Sequence, residues 1–468
     1  MSTSHRFHLI GIGGAGMSVV AELLKDRGLE VSGSDQKDSP VLDHLRSVGV
    51  KVFVGHDASH VPAGSVVVVS TAVRETNPEL AYARKEGLTV IHRSQALALA
   101  ASGMRFVAVA GAHGKTTTSG MLSMALRQAG ADPSIAVGSV IPELGSGAHL
   151  GSGDIFVAEA DESDGSFLNY TPWIEIVTNV EPDHLDRYGS REAFEQVFVD
   201  FVGCLREGGT LVCCGEDAGS ARLARYAKGR GIDTVTYGRE GQESPELGAP
   251  CDVVIKDAAT DGHVASAHVV WNSETVEINL RVPGLHNIVN AVAAWIAGVR
   301  LGIEGHLMAS SLTAFSGTSR RFEFKGESGG RRLYDDYAHH PTEVAAAITQ
   351  ARSAAGNGEV SVVFQPHLYS RTQSFAERFA DALSHADHVY VCDIYGARED
   401  PVPGVDSTLI TSHLPKARYV PDMHEAARLA AREVAEGGIL LTMGAGSITQ
   451  CDQDVLDEWE HKGVGSAQ

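Results

Sequence analysis

Cysteine is scarce in this sequence, and no two cysteines stand at a metal-binding spacing. Six cysteines are scattered over 468 residues, and no C-x-x-C pair occurs. This pattern argues against a disulfide framework or a zinc site and favours reduced thiols. Long apolar runs are also missing, since none approaches the roughly 18 residues that a membrane-spanning helix needs. No charged and then apolar leader precedes Ile10, so we expect a cytoplasmic protein without membrane insertion.

Positive charge is scarce as well. The chain has 38 Lys and Arg against 59 Asp and Glu, which gives a formal net charge of −21. This excess of acid argues against nucleic acid or an anionic membrane surface as a partner. It does not argue against a phosphate ligand, because loops and metal ions can offset the charge locally. At roughly 150 residues per domain, the length predicts about three domains.

Short apolar segments alternate with helical segments along most of the chain. Strand-like runs occur, for example, at 7–12, 106–110 and 360–364, and a helix is expected at about 287–301. This alternation predicts an α/β fold with parallel sheets. The stretch 238–277 alternates apolar with polar residues, so we expect a peripheral antiparallel patch there. The predicted domains are residues 1–103, 104–316 and 317–468.

A glycine-lysine loop, GAHGKTTT at 111–118, follows an apolar run and opens a helical pattern. A strand, a glycine loop and a helix N-terminus together offer backbone N–H groups to phosphates. Lys115 adds a positive charge, and Thr116 offers a hydroxyl to Mg²⁺. A full Walker A pattern would need glycine where Val109 stands, so this loop is a shorter variant. An ordinary glycine-rich turn is the alternative.

A second glycine loop, GIGGAGM at 11–17, comes directly after the first strand-like run. It fits G-x-G-x-x-G, and Asp35 stands about twenty residues further on, where a ribose-binding carboxylate is expected. The pattern alone would suggest NAD. Because a nicotinamide enzyme rarely carries a lysine phosphate loop too, we favour a nucleotide diphosphate in another role. A purely structural glycine turn is the alternative.

Polar side chains follow two further strand-like runs. EADESD at 159–164 places carboxylates where a Walker B acid would hold Mg²⁺. TNVEPDHLD at 178–186 adds His184, which suggests a second metal or a role in ordering water. A solvated acidic turn is the alternative for the first segment, and a structural histidine is the alternative for the second.

The remaining polar clusters lie nearer the C-terminus. Asn287 and Asn290 are three apart, on one helix face, where they either bind a nucleotide or cap the helix. Arg320 and Arg321 precede DDYAHHPTE at 335–343 and QPHLYSRT at 365–372. Paired acids, paired histidines and isolated arginines suit a site for an anion and an amine. Surface salt bridges are the alternative.

Taken together, these segments resemble the Mur ligase superfamily, the ATP-dependent amino-acid-adding enzymes of peptidoglycan synthesis. Folylpolyglutamate synthetase shares the short lysine loop. Within the superfamily the strings are most like those of the alanine-adding branch, and they run in the family's order over nearly the whole chain. The strings are GIGGAGM, GAHGKTTT, EADESD, TNVEPDHLDRYG, PGLHNIVNA, SRRFE, DDYAHHPTE and FQPHLYSRT.

The resemblance implies three domains: a Rossmann-like UDP-binding domain, a central P-loop-type ATPase domain with a parallel sheet, and a C-terminal Rossmann-like α/β domain that closes over the site. It implies that L-alanine is joined to the lactoyl carboxylate of UDP-N-acetylmuramate through an acyl phosphate. ATP and Mg²⁺ are the implied cofactors. We expect a monomer or a weak homodimer.

The resemblance also implies roles for individual residues. The implied catalytic residues are Lys115, His184, His339 and Arg371. The implied ATP-binding residues are Gly111, His113, Gly114, Lys115, Thr116, Thr117, Asn287, Asn290 and Arg321. The implied ligands of Mg²⁺ are Thr116, Glu159 and His184. The implied contacts of the UDP-sugar and the amino acid are Gly11, Gly13, Gly14, Gly16, Asp35, Ser70, Tyr337, His339 and Arg371.

Three features depart from the pattern of the superfamily. Ala112 replaces the usual threonine of the lysine loop, where the backbone does the binding. Leu368 stands where the family usually has arginine, which removes a cation from the expected amino-acid pocket. Many sister ligases use a carbamylated lysine, yet residues 187–208 contain no lysine, as in the alanine-adding branch.

Three other functions remain open on the sequence alone. A murein tripeptide recycling ligase would use the same UDP-sugar but join a peptide. A non-catalytic nucleotide-binding regulator would need no arginine and histidine cluster at 320–371. A dehydrogenase would bind NADH and would not need ATP.

Overall fold

The computed structural model describes residues 6–182, 185–261, 263–397 and 399–465. The architecture is α/β with sheets that are largely parallel, which confirms the predicted fold class. Two compact units divide the chain. The first unit takes its residues from 1–258, 266–280 and 288–316, and the second from 259–265, 281–287 and 317–468.

The N-terminal sheet has five parallel strands in the order β3-β2-β1-β4-β5. The strands are β1 (Arg6–Ile10), β2 (Glu30–Asp35), β3 (Lys51–Val54), β4 (Val66–Val69) and β5 (Val90–His92). The helices are α1 (Ala15–Asp26), α2 (Pro40–Ser47), α3 (Pro78–Lys85) and α4 (Arg93–Ala100), with a 3₁₀ turn at Ala58–His60. The strand order reverses beside β1, and in such sheets the crevice at the carboxyl ends of the strands is the usual ligand site.

The second sheet has ten strands in the order β15-β14-β13-β12-β11-β10-β6-β9-β7-β8. The strands are β6 (Arg105–Ala110), β7 (Ser134–Ile141), β8 (Ser146–His149), β9 (Ile155–Glu159), β10 (Ile174–Val177), β11 (Thr210–Cys214), β12 (Asp233–Arg239), β13 (Val253–Thr260), β14 (Ala265–Trp271) and β15 (Glu274–Leu280). The helices are α5 (Lys115–Gln128), α6 (Leu185–Tyr188), α7 (Arg191–Val202), α8 (Ala218–Gly229), α9 (Leu285–Arg300) and α10 (Gly305–Ser311). Short 3₁₀ helices lie at Ser166–Asn169, Pro245–Leu247 and Leu312–Ala314.

The expected antiparallel patch at 238–277 is wrong in part. β12 pairs with β13 in parallel, with Tyr237 opposite Val253, and these strands extend the ten-stranded sheet. The error has a physical cause, because β13 is buried on one face only and therefore alternates apolar with polar residues. Such alternation is typical of antiparallel strands. The antiparallel pairing of β7 with β8 was not predicted.

The sheet of the second unit has six strands in the order β16-β17-β21-β18-β19-β20. All neighbouring pairs are parallel except β16 with β17. The strands are β16 (Glu323–Ser328), β17 (Arg331–Asp336), β18 (Val360–Phe364), β19 (His388–Val391), β20 (Ala417–Tyr419) and β21 (Ile439–Met443). The helices are α11 (Pro341–Ala355), α12 (Tyr369–Leu383), α13 (Thr408–Thr411), α14 (Met423–Glu433) and α15 (Asp452–Gly465), with a 3₁₀ helix at Ser447–Cys451.

The three sheets occupy residues 6–92, 105–280 and 323–443. The domain boundaries at 103 and 316 stay predictions. Among the described residues, no helix combines the length and the apolar character needed to cross a membrane.

Glu175 is an unusual acid in the middle of the second sheet. It lies on β10 between Ala108 and Leu211, and its side chain is fully buried. Neither carboxylate oxygen has a hydrogen-bond partner among the described residues. Burial raises the pKa of Glu175 well above its ordinary value, because the charged form is poorly solvated there.

We predict that Glu175→Met increases the free energy of unfolding at neutral pH by about 1–3 kcal/mol, the cost of an unsatisfied buried polar group. The pKa of Glu175 is higher in the folded state than in the unfolded state. At pH values above the unfolded-state pKa, folding therefore takes up a proton, and the stability of the wild-type protein falls as the pH rises. The gain should therefore be larger at pH 8 than at pH 5 in urea titrations.

The control is Glu192→Met, which changes an exposed glutamate on α7 and should give no pH-dependent gain. An equal gain from Glu175→Met at both pH values, or a loss of stability, would contradict the interpretation.

Candidate active site

The lysine loop of the first unit needs glycine at two positions. Gly114 has φ +83°, and a Cβ there would lie 2.8 Å from Oδ1 of Asn290. Gly111 has φ +131°, and a Cβ there would overlap Oγ1 of Thr178. Any larger residue would be strained and would push the loop away from these neighbours. The predicted residues Gly111, Gly114 and Asn290 therefore meet at the start of α5.

The end of strand β10 holds this loop in shape. The backbone N–H of His113 donates to Oδ1 of Asn179 at 3.0 Å, and Nδ2 of Asn179 donates to the carbonyl of His113 at 2.9 Å. Oγ1 of Thr178 donates to the same carbonyl. Nε2 of His113 lies 3.2 Å from Oε2 of Glu181. The direction of the loop amides is thus set by side chains of the protein itself.

Lys115 makes an ion pair with a carboxylate of the acidic loop. Its Nζ donates to both carboxylate oxygens of Glu162, at 3.0 and 2.9 Å, and also to the carbonyl of Gly111. Burial alone would lower the pKa of Lys115, but the charges of Glu162 and Asp161 raise it above its ordinary value. Lys115 is therefore a firmly charged group at the position expected for a phosphate ligand.

The predicted metal ligands carry hard oxygen donors. Thr116 and Thr117 are in the first turn of α5, and the side chain of Thr116 is largely buried. Glu159 ends β9, and its Oε1 accepts the N–H of Gly138 at 3.0 Å. A hydroxyl and carboxylates are the donors that Mg²⁺ prefers. The predicted ligand His184 lies outside the described residues.

The glycine loop after β1 is anchored by the end of β2. The carbonyl of Ser34 accepts the N–H groups of Gly11 and Ile12, at 2.8 and 2.9 Å. Oδ2 of Asp35 accepts the N–H of Gly13 at 2.9 Å. Asp35 therefore interacts with the loop backbone.

A pocket of about 600 Å³ opens at the carboxyl ends of this sheet. It is lined by Gly11, Gly14 and Gly16 of the glycine loop, by Asp35 and His56, and by the segment from Ser70 to Arg74. The residues predicted to contact the UDP-sugar therefore line one cavity, except Gly13, whose N–H is bonded to Asp35. On its other side the pocket is lined by Asp161, Ser163 and Asp164 of the acidic loop.

Arg93 is a pocket residue that the sequence analysis missed. It begins α4, directly after β5, and its side chain lines the pocket. A Cβ at Gly16 would overlap its Nη1, so the guanidinium would have to move if residue 16 carried a side chain. Its Nη2 lies 3.6 Å from Oδ2 of Asp161. Since Glu162 pairs with Lys115, one acidic loop connects the pocket with the lysine loop.

The second unit gathers the residues predicted for the amino acid. The guanidinium of Arg321 lies over the ring of Tyr337, 5.4 Å from its centroid. Nδ1 of His339 lies 2.9 Å from the carbonyl of Tyr337, so this nitrogen donates. In a neutral ring the lone pair is then on Nε2. Nη1 of Arg371 lies 3.3 Å from Nδ1 of His367, and the ring centroid of His367 is 5.8 Å from that of His339.

Strained backbone marks two positions in this cluster. Leu368 is buried, with φ +71° and ψ 135°, a region that glycine normally occupies. Its N–H and carbonyl are both bonded, to Tyr395 at 3.0 Å and Thr372 at 3.1 Å. Arg320 also has positive φ, at +60°. Such strain at one site is typical of functional segments.

Asn287 is the other asparagine that was predicted to bind the nucleotide, and it belongs to the second unit. Its Nδ2 donates to the carbonyl of Pro283 at 2.7 Å. The side chain is nearly buried, so it fixes the entry into α9.

Several further residues were not singled out from the sequence. The available signal for Arg93 and for Asn179 is their place just after a parallel strand, where the glycine loops also lie. Glu162 stood within a quoted motif, but nothing in the motif tells which acid pairs with Lys115. Glu343, whose Oε2 accepts the N–H groups of His339 and His340 at 3.0 and 3.3 Å, reads in sequence as a helix-capping residue only.

Three family models match the chain in sequence order. The Mur ligase family catalytic domain matches residues 6–105, the Mur ligase middle domain matches 109–298, and the Mur ligase glutamate ligase domain matches 320–446. The chain belongs to the Mur ligase family. This confirms the resemblance inferred from the motifs.

Full-length relatives agree with this membership. The UDP-N-acetylmuramate–L-alanine ligase of Renibacterium salmoninarum is 49% identical over 97% of this chain and 95% of that protein. The crystal structure of the UDP-N-acetylmuramate–alanine ligase MurC of Thermotoga maritima superposes with a TM-score of 0.80, at 27% identity, over 98% of this chain and 99% of that one. A murein peptide ligase from Psychrobacter arcticus shares the fold, with a TM-score of 0.72 at 24% identity over 97% and 98% of the two chains.

We predict that Gly114→Ala weakens ATP binding by about tenfold or more, equivalent to roughly 1.4 kcal/mol or more. The added methyl would collide with Asn290 and force the loop out of shape. Isothermal titration calorimetry with ATP would measure the effect.

Gly103→Ala is the matched control, because Gly103 has the same φ of +83° but no atom within 4 Å of an added Cβ. Both variants carry the backbone strain of a left-handed conformation, about 1–2 kcal/mol. Only Gly114→Ala adds a collision in the lysine loop, so only this variant should weaken ATP binding. Equal ATP affinity in the two variants would disprove the argument.

Proposed function

We propose that this chain is an ATP-dependent ligase that joins L-alanine to the lactoyl carboxylate of UDP-N-acetylmuramate, a step of peptidoglycan precursor synthesis. The observation that carries the proposal is the acidic loop of the first unit. On one side it lines the pocket of the glycine loop, and on the other its Glu162 bonds Lys115 of the phosphate loop. A nucleotide-diphosphate substrate and a triphosphate would thus be bound on either side of a single loop. The full-length similarity to named alanine ligases supports the choice of substrates.

The pocket offers the groups that the nucleotide half of a UDP-sugar needs. The amides of the glycine loop offer donors to a diphosphate, and Asp35, already bonded to the loop, is expected to meet the ribose. Arg93 lies on the side of the acidic loop, so we place the substrate's lactoyl carboxylate there. A cation at this position would hold the nucleophilic carboxylate and point it towards the phosphate loop.

The first chemical step is attack of the lactoyl carboxylate on the γ-phosphate of ATP, which gives an acyl phosphate and ADP. Phosphoryl transfer depends on positioning and on neutralising charge. The amides of the lysine loop and Lys115 would bind the phosphates, with Lys115 exchanging its bond to Glu162 for one to phosphate. Magnesium, held by Thr116 and Glu159, would supply further neutralisation of charge at the transferred group.

The second step is attack of the L-alanine amine on the acyl phosphate, which forms the amide and releases phosphate. The amine must lose a proton, and we propose His339 as the base, because its Nδ1 is committed to the carbonyl of Tyr337 and Nε2 keeps the lone pair. Arg371 would pair with the alanine carboxylate. Arg321 would bind ATP. Asn290, which approaches Gly114, and Asn287 would bind the adenine side.

The peptide-joining ligases are the second candidate, because a murein peptide ligase has the same fold. That likeness, at 24% identity, carries only the fold. Leu368 is buried in this chain and removes a cation from the expected pocket, but Arg371 is present in the first turn of α12. The relative that is 49% identical over nearly the whole chain is named as an alanine ligase. We therefore retain the small amino acid as the substrate.

The test is phosphate release with ATP, Mg²⁺ and UDP-N-acetylmuramate, measured against L-alanine, glycine, L-serine, D-glutamate and the tripeptide. We expect release that depends on L-alanine, and its loss in Lys115→Ala without loss of UDP-substrate binding. Release with the tripeptide alone would move the chain to the peptide-joining ligases. Turnover retained in Lys115→Ala would contradict the assigned role of the lysine loop.

We predict that Arg93→Ala raises the KM for UDP-N-acetylmuramate by about 10- to 100-fold, the loss of one charged hydrogen bond of roughly 1.5–3 kcal/mol. The Kd for ATP should stay unchanged, because Arg93 lines the pocket and not the lysine loop. Steady-state kinetics and ATP calorimetry would measure both quantities.

Arg84→Ala is the control, since Arg84 is exposed and pairs with Glu75 at the surface. An unchanged KM in Arg93→Ala would show that the arginine does not bind the substrate.

The expected cytoplasmic location and the expected monomer or weak homodimer remain predictions.

A further inference from the structure

A fully buried carboxylate lies behind the wall of the substrate pocket. Glu79 is the second residue of α3, and none of its surface is exposed. Three histidines face it. Nδ1 of His56 lies 3.3 Å from Oε2, Nδ1 of His60 lies 3.2 Å from Oε1, and Nε2 of His8 lies 3.7 Å from Oε1. The ring of His60 is itself fixed by stacking on Phe53.

The charge of this carboxylate is maintained by its surroundings. Burial would raise the pKa of Glu79, but the interactions with His8 and Ser34 and the charge of His56 hold it below its ordinary value. The groups that face it come from β1 (His8), the end of β2 (Ser34), and the segment after β3 (His56 and His60). Glu79 is therefore an anion that accepts several hydrogen bonds, and a buried anion of this kind fixes its donors in place.

Two of these partners belong to the pocket and its loop. Oγ of Ser34 donates to Oε2 of Glu79 and lies 2.9 Å from Nδ1 of His56. His56 lines the pocket, whereas Glu79 does not. The carbonyl of Ser34 accepts the N–H groups of Gly11 and Ile12. One carboxylate thus fixes both a side chain of the wall and the strand end that anchors the glycine loop.

We infer that Glu79 is a positioning residue for the nucleoside diphosphate half of the substrate, acting through His56 and Ser34. The inference rests on the proposed function, because it takes the pocket to be the UDP site. Glu79 does not touch the ligand. It holds the imidazole of His56 and the amides of the glycine loop in the arrangement that the nucleotide meets, so the binding energy is not spent on ordering them.

Glu79→Gln tests the inference, because it keeps the shape of the side chain and removes its charge. We expect the Kd for UDP and for UDP-N-acetylmuramate to rise about tenfold, which corresponds to about 1.4 kcal/mol. The Kd for ATP should stay within twofold of the wild-type value. In turnover, the KM for the UDP-sugar should rise while kcat at saturation changes little. Calorimetry and steady-state kinetics measure these quantities.

Glu22→Gln is a matched control. Glu22 is also nearly buried, and it also binds a histidine and a serine, His44 and Ser146, the latter at 3.0 Å. It is not among the residues that line the pocket. We expect its substitution to leave the affinity for UDP unchanged. A similar loss of UDP affinity in both variants would overturn the inference, because any buried glutamate of this unit would then have the same effect.

A double-mutant cycle tests the route through the histidine. If Glu79 acts through His56, the combined variant Glu79→Gln/His56→Ala should lose less UDP affinity than the sum of the two single changes. Additive losses would overturn that route. Should Glu79→Gln fail to fold, Ser34→Ala removes the hydrogen bond from Ser34 to Glu79 with a smaller change. It should weaken UDP binding while ATP binding is kept.

The outcomes separate this inference from the proposed function. If the wild-type protein binds no UDP-N-acetylmuramate, the proposed function fails, and the inference fails with it. If the wild-type protein binds the UDP-sugar and Glu79→Gln binds it equally well, only the inference fails. Equal weakening of UDP and ATP binding in Glu79→Gln would also overturn it, because a general structural role predicts that result.

Discussion

Each glycine loop of the first unit is held in shape by the end of a neighbouring parallel strand. The carbonyl of Ser34 accepts two N–H groups of the first loop, and Thr178 and Asn179 bind His113 of the second. A loop that binds phosphate must leave its remaining amides unpaired, so it cannot be stabilised by regular hydrogen bonds within itself. The adjacent strand supplies the missing bonds, and the binding geometry exists before any ligand arrives.

This arrangement shows how a strongly acidic chain could bind the two phosphate ligands proposed above. The whole chain has a net charge of −21. Within the candidate site, however, carboxylates pair with the cations that phosphate ligands would need. Glu162 bonds Lys115, and Asp161 lies near Arg93. A buried cation without a partner would be costly, so the acids keep Lys115 charged in the absence of ligand. A phosphate can then take the place of the carboxylate as the partner of Lys115.

The sequence allowed prediction of the features that depend on local chemistry. Glycine loops after apolar runs identified Gly11 and Lys115, and the alternation of elements predicted parallel sheets. Features that depend on pairing between distant segments were not predictable in this way. The parallel pairing of β12 with β13 looked antiparallel because one face of β13 is exposed. Arg93 follows a strand of only three residues, and its guanidinium lies where a side chain at Gly16, 77 positions earlier in the numbering, would overlap it.

Buried glutamates show why residue type and burial together still do not determine a role. Glu175 and Glu79 are both fully buried, yet burial raises the pKa of the first, whereas the partners of the second hold its pKa below the ordinary value. The first sits on a central strand, where its neighbours on β6 and β11 are Ala108 and Leu211 and can donate nothing from their side chains. The second begins a helix at the edge of a crevice, where the segments that end there bring polar side chains to it. The charge of a buried carboxylate is therefore maintained where polar donors meet it and not between apolar neighbours in the middle of the sheet, and the carboxyl ends of parallel strands are where such donors and the proposed ligand sites are expected.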